Sequence, residues 1–176
     1  EAKEKNFQDL CAAHGDLGWN LLKNQHQIIE KDGKKLALVG VENWGKGFKQ
    51  KGDLEGALIT PRQALAEGEM ATAVKDADVR ILLSHDPSHW TAQVQEHPLQ
   101  FDLTLSGHTH GMQFGVEIPA LKIKWSPIKW RYPQWAGLYT DDRKQHLYVN
   151  RGFGHLGYLG RAGILPAVTV LELTRA

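Results

Sequence analysis

Ser106-Gly107-His108-Thr109-His110-Gly111 follows the short apolar run Phe101-Asp102-Leu103-Thr104-Leu105, and Ser84-His85-Asp86-Pro87 follows Val79-Arg80-Ile81-Leu82-Leu83. Bounded apolar runs of this length read as buried strands. The histidines therefore stand where strands end and loops begin, the place where an open α/β sheet builds its site. Three imidazoles delivered by neighbouring strand ends point to metal ligation. Gly107 and Gly111 flank His108-Thr109-His110 and let the backbone turn sharply, so both imidazoles aim into one small volume.

Outward from this centre the chain reads as strand-rich with connecting helices. The pattern predicts a helix over Lys3–Ala13, with Phe7, Leu10 and Cys11 on one face and breaks at Gly15 and Gly18. Leu21–Ile29 and Leu36–Val41 have strand character, and Lys31-Asp32-Gly33-Lys34 between them is a hairpin signal. Asp53–Val74 reads as helical in two pieces, broken near Thr60-Pro61 and Gly68. A helix over Trp90–Glu96 joins the two histidine-bearing strands. Met112–Ile118 reads as a strand, Leu121–Trp135 as irregular, and Leu138–Thr140 with His146–Val149 as a second hairpin. Arg151–Gly163 is a glycine-rich loop and Ala167–Leu173 the closing strand.

Length and composition narrow the function. The 176 residues make one domain, and 21 basic against 20 acidic side chains leave a net charge of +1, with no footprint for nucleic acid. One cysteine, Cys11, excludes an internal disulfide and a cysteine zinc cluster, and it reads as a small core residue. No apolar run reaches membrane-spanning length.

A strand ending in His-x-Pro, a helix, then a strand ending in Gly-His-Thr-His resembles the C-terminal half of the calcineurin-like metallophosphoesterases. The bacterial, membrane-associated branch is the most similar, through Asp102–Gln113, Leu147-Tyr-Val-Asn-Arg-Gly-Phe-Gly154 and Leu165–Leu173. The resemblance implies a four-layer helix-sheet-sheet-helix sandwich in the intact protein, of which residues 1–176 would be the C-terminal portion. It further implies phosphoester hydrolysis by two divalent metals, manganese, iron or zinc. His85 and His108 would ligate one ion and His110 the other.

The same resemblance exposes a shortfall. The family's Asp-x-His and Gly-Asn-His motifs are absent, and Gly15-Asp16-Leu17-Gly18-Trp19 and Gly52-Asp53-Leu54-Glu55-Gly56 lack the last aspartate of its Gly-Asp-x-x-Asp. The bridging carboxylate and the general acid are thus missing. The expectation is an inactive chain with weak or partial metal occupancy, whose face toward an absent N-terminal half is apolar and favours self-association. The compartment is open, between a soluble domain and one held at a membrane by segments upstream.

Other residues carry weaker signals. A single histidine near a strand end is ordinarily a hydrogen-bonded structural residue, and that reading applies to His14, His26, His97 and His146. His89 follows the His85 loop and is placed to cap the next helix. His155, Arg151 and Arg161 lie in the glycine-rich loop and are the substrate-binding candidates, the arginines because a guanidinium binds phosphate bidentately. Lys122, Lys124, Lys129 and Arg131 interleave with Trp125, Trp130, Tyr132 and Trp135. That segment, 121–135, suits a loop packed on the sheet, or a non-catalytic module that meets a partner or membrane. The resemblance to the membrane-associated branch implies a phospholipid-type molecule among the substrates.

Overall fold

The computed structural model describes residues 2–45, 51–59 and 72–174. Its strands are β1 (Gln25–Lys31), β2 (Lys34–Gly40), β3 (Val79–Leu83), β4 (Leu103–Ser106), β5 (Val116–Ile118), β6 (Ile123–Trp125), β7 (Gly137–Thr140) and β8 (His146–Val149). Six of them form one sheet in the order β1-β2-β3-β4-β8-β7. β2, β3, β4 and β8 run parallel, and the hairpin partners β1 and β7 lie antiparallel at the two edges. Four strands therefore end on the same side of the sheet, and two of those ends carry the histidines. β5 and β6 pair separately.

The hairpin between β1 and β2 turns at Asp32 (φ 52°) and Gly33 (φ 71°), the left-handed pair that matches strand twist. The first strand starts later than its apolar run, at Gln25, because Asn24 turns left-handed (φ 52°) and becomes a clasp. Its side-chain oxygen accepts from the Glu42 and Asp53 amides at 3.0 and 2.9 Å, and its amide nitrogen donates to Glu42 Oε2 and the Lys51 carbonyl.

Val39, Leu82, Thr104 and Leu147 lie in register across the parallel strands and are fully buried. They face a layer made of α2 (Leu54–Ile59), through Leu54 and Ala57, with Trp90, Val94 and Phe101. The opposite face is apolar too, with Leu38, Leu83, Leu103, Leu105 and Tyr148, but these are only half-buried. One mostly parallel sheet covered by helices on one side is an α/β fold. Among the described residues the only other sheet is the β5-β6 ladder, so a four-layer sandwich is not formed by them.

Several expectations need correction. Residues 165–173 make no ladder: Thr169 Oγ1 meets the Tyr148 hydroxyl at 2.7 Å and Asn150 Nδ2 at 3.0 Å, and Leu173 shares a cleft with Ile29, Leu36 and Val79. The segment thus crosses the half-covered face, with Val168 and Val170 80% and 90% exposed. An alternating apolar run becomes a strand only beside a partner, and none lies there among the described residues. The strand expected over Met112–Ile118 is cut to β5, because Gly111, Met112 and Gln113 are left-handed and cannot be extended. α1 (Ala2–Asp16) buries no side chain, so Cys11 is half-buried and not a core residue. The helix after His89 is one π-type turn, Trp90–Val94. The break expected near Thr60-Pro61 and Gly68 lies outside the described residues. Among those residues no helix is long and apolar enough to cross a membrane.

Candidate functional site

Hydrogen bonding continues past the strand ends and sets the two histidine loops side by side. The Ser84 amide donates to the Leu105 carbonyl (3.0 Å), the Gly107 amide to the His85 carbonyl (3.0 Å), and the Asn150 amide to the Ser106 carbonyl (2.8 Å). The Ser106 hydroxyl adds a bond to the Ser84 carbonyl at 2.6 Å. Beyond that point the backbone is strained. His108, His110, Met112 and Gln113 all have positive φ, at 64°, 50°, 55° and 55°. Each non-glycine residue so placed costs about 1–2 kcal/mol, and such strain collects at functional sites.

The consequence is a facing pair of imidazoles. His108 Nδ1 lies 3.3 Å from His85 Nε2, with the rings nearly perpendicular at 78°. Two nitrogens each about 2.0–2.1 Å from one tetrahedral ion stand about 3.3 Å apart, so the pair has the spacing of two ligands on a shared ion. Two of the three imidazoles, His85 and His110, are pushed toward the neutral form that ligation needs. Desolvation pushes the His85 pKa below 6.5, with His108 and then His110 adding to it and Asp86 opposing. His110 is also lowered, first by desolvation and then by Arg161 and His108.

His110 is close enough to act on both neighbours electrostatically, but it does not complete a ligand set with them. Among the described residues no group of three or more His, Cys, Asp or Glu side chains is gathered tightly enough to hold an ion. Its Nδ1 is buried without a hydrogen-bond partner, and its carbonyl accepts from Arg161 at 3.2 Å. Two of the three expected ligands thus have the spacing that one ion would need, and among the described residues no third ligand joins them. The third is preorganised with an uncommitted nitrogen.

Two further residues belong to the site that the sequence did not single out for it. Asp86, 2% exposed, accepts from the Ser88 amide and hydroxyl on Oδ1 and turns Oδ2 toward His108 Nε2, 3.9 Å away. Tyr132 contacts both, with its hydroxyl 2.9 Å from His108 Nε2 and 3.5 Å from Asp86 Oδ2. Burial and the Asp86 carboxylate raise the phenol pKa. Gly45 leaves room for this carboxylate, since a Cβ there would stand 2.3 Å from Asp86 Oδ2. The one legible signal was the position of Asp86 beside His85.

The substrate-side candidates are placed differently from one another. Arg151 is paired with Glu117 at 2.6 Å. Arg161 binds the carbonyls of His110, Arg151 and Gly154 and so clasps the loop to the histidine turn. His155 is exposed and accepts from the Gly160 amide at 3.2 Å. A cleft of about 320 Å³ opens beside His108 and His110, walled by Met112, Gln113, Ile128, Tyr132, Leu156 and Tyr158. The basic-aromatic segment forms part of this wall. Trp135 is buried, Lys124 lies over its ring at 5.1 Å and donates to the Ala136 carbonyl, and Trp130 alone among the four aromatics is exposed, at 75%.

The remaining histidines are hydrogen bonded. His14 meets the Leu10 carbonyl, His26 the Ala57 carbonyl, His97 Glu55 and the Leu99 carbonyl, and His146 Thr140. His89 makes no side-chain cap. It is fully buried, stacks on Trp44 at 4.8 Å, and bonds Ser84 Oγ and Gln93 Oε1. Its pKa is lowered from 6.5, chiefly by desolvation. A depressed folded-state value means that the unfolded chain takes the proton first, so stability is full above about pH 6.5 and falls as acid approaches the folded value. The urea midpoint is expected to drop between pH 7.5 and 5, and His89→Gln to drop less. A wild-type midpoint that holds or rises on acidification contradicts this.

Comparison with known proteins adds two relatives. The chain is 31% identical over 157 residues to the phosphodiesterase YaeI of Escherichia coli (strain K12), covering 89% of this chain and 48% of that protein. It is 29% identical over 161 residues to the uncharacterized metallophosphoesterase YkuE of Bacillus subtilis (strain 168), covering 89% and 47%. The chain thus spans about half the length of the curated relatives it matches. Their names support a metallophosphoesterase family. No family model and no solved structure matches the chain.

Proposed function

We propose that this chain supplies the histidine side of a two-ion phosphoesterase site. His85 and His108 ligate one divalent ion and His110 the other. The observation that carries the reading is the 3.3 Å approach of His108 Nδ1 to His85 Nε2 on adjacent strand ends. Imidazole donors favour zinc, iron or manganese over magnesium. When bound, such ions polarise a phosphoryl oxygen and activate a water. In the hydrolysis a P–O bond forms to the water oxygen, the P–O bond to the leaving group breaks, and a proton passes to the departing oxygen.

No residue here is assigned as that proton donor. The carboxylate ligands and the acid are assigned to the length of the relatives that this chain does not span, where the second sheet of a four-layer sandwich would also lie. The substrate is a phosphoester, favoured as a diester with an apolar group of phospholipid type, because exposed Met112, Leu156 and Tyr158 line the cleft. His155 is the substrate-side residue of choice, and Arg151 and Arg161 act by shaping the loop. This reading is preferred to a separate partner- or membrane-binding module because Tyr132, Lys124 and Trp135 of that segment are turned into the fold.

The test is manganese-dependent hydrolysis of a chromogenic phosphodiester by this chain and by a form spanning the relatives' full length. Turnover by the longer form alone, abolished by His108→Ala, is expected. Turnover by this chain alone overturns the assignment of donors outside it, and no turnover of diesters or monoesters by either form overturns the reading. The apolar side chains along 165–173 also make self-association of this chain the expected state, read by sedimentation velocity; a clean monomer at high concentration opposes it.

A further inference from the structure

We propose that Tyr132, braced by Asp86, decides which nitrogen of His108 carries the proton and so leaves Nδ1 as the metal-binding atom. The inference rests on the metallophosphoesterase reading and adds two positioning residues to it.

The argument is a count of protons. A carboxylate only accepts, a phenol has one proton to donate, and a neutral imidazole has one N–H. Asp86 is buried, and its Oδ1 is filled by the Ser88 amide at 2.8 Å and the Ser88 hydroxyl at 2.6 Å. Its Oδ2 faces the Tyr132 hydroxyl at 3.5 Å. If the phenol gives its proton to Asp86, its oxygen can meet His108 Nε2 at 2.9 Å only as an acceptor. The imidazole proton is then on Nε2. Nδ1 carries the lone pair and, in the metal-free chain, accepts from His85 Nε2 at 3.3 Å, the proton there being the one an ion would displace.

The opposite arrangement is worse on both counts. With the proton on Nδ1, Tyr132 would have to donate to Nε2, and the buried Oδ2 of Asp86 would lose the phenol proton. Nδ1–H would also point at the position an ion must occupy. Carboxylate-held partners of this kind fix the orientation and tautomer of ligating histidines, and losing one weakens metal binding about 10–100-fold.

The experiment uses the metal-free chain with nitrogen-15-labelled histidine. Wild-type protein is expected to show His108 as the Nε2–H tautomer. Tyr132→Phe keeps the ring but lacks the hydroxyl, and it should shift His108 to a mixture of tautomers and weaken zinc binding by calorimetry about 10–100-fold. Asp86→Asn should shift the tautomer in the same sense. An Nδ1–H tautomer in wild type overturns the proposal, as does a tautomer unchanged in a folded Tyr132→Phe. The expected tautomer in this chain, with no zinc uptake by the form spanning the relatives' full length, refutes the metallophosphoesterase reading while leaving the Tyr132 control of the proton standing.

Discussion

Replacing His108 with alanine is expected to weaken zinc binding by the chain about 100-fold or more while leaving the fold intact. His108 is the hinge of the pair, because its two nitrogens face His85 on one side and Tyr132 with Asp86 on the other. Without it His85 has no second imidazole at 3.3 Å, and a single exposed imidazole is a poor metal site. Stability should move little, within about 1 kcal/mol, because the ring is not part of the core and its loss also frees Tyr132 to serve Asp86. Calorimetry with zinc and urea unfolding of the same samples separate the two effects. Unchanged zinc affinity contradicts the assignment. A lost fold would make His108 structural instead.

Gly163→Ala is expected to cost about 2–4 kcal/mol, through a left-handed residue and a backbone overlap together. Gly163 has φ 70°, and a Cβ there would lie 1.8 Å from the Gly115 carbonyl oxygen. Gly115 cannot yield, since its own Cβ position is 2.2 Å from the Trp125 carbonyl oxygen and 2.6 Å from Ile164 Cδ1. The contact docks the glycine-rich loop: the Gly115 amide donates to the Ala162 carbonyl and the Ala162 amide to the Gln113 carbonyl. Ile164 beside it packs with Trp135 and Ala136 in the small second core. That core reaches the histidine turn, because Thr109 Oγ1 donates to the Trp135 carbonyl at 2.8 Å. Gly154→Ala is the control, since a Cβ there meets nothing within 4 Å, and its change should stay within about 0.5 kcal/mol. Equal unfolding midpoints for the two variants contradict the docking argument.

Both predictions bear on what makes this loop difficult to hold. The left-handed residues His108, His110, Met112 and Gln113 store local strain that the surrounding contacts must offset. Those contacts include the Ser126 hydroxyl on the Gly111 carbonyl and the Gln113 side-chain amide on the Tyr158 and Gly160 carbonyls.

Strand ends, hairpins and the histidine positions were legible in the chain because they follow local rules. Asp32-Gly33 specifies its turn through its own backbone preferences, and Val79–Leu83 and Leu103–Ser106 announce themselves as apolar runs with boundaries. Parallel neighbours then bring His85 and His108 together with no further information. Residues 165–173 carry an equally clear alternation, yet a strand is a relation between two segments, and among the described residues no second one lies beside them.

Distant placement was decided by tertiary structure. Tyr132 reaches Asp86 across 46 positions of chain, and no periodicity reports such a contact. Arg151 stands 2.6 Å from Glu117, an ion pair across 34 positions of chain that no local pattern announces. His110 reads as the ligand of a second ion, and only the folded turn shows its Nδ1 buried without a hydrogen-bond partner. Secondary structure depends on the few residues on either side, so the chain states it outright. Which side chain meets which across the sheet ends depends on how whole elements pack, and that exists only once the chain has folded.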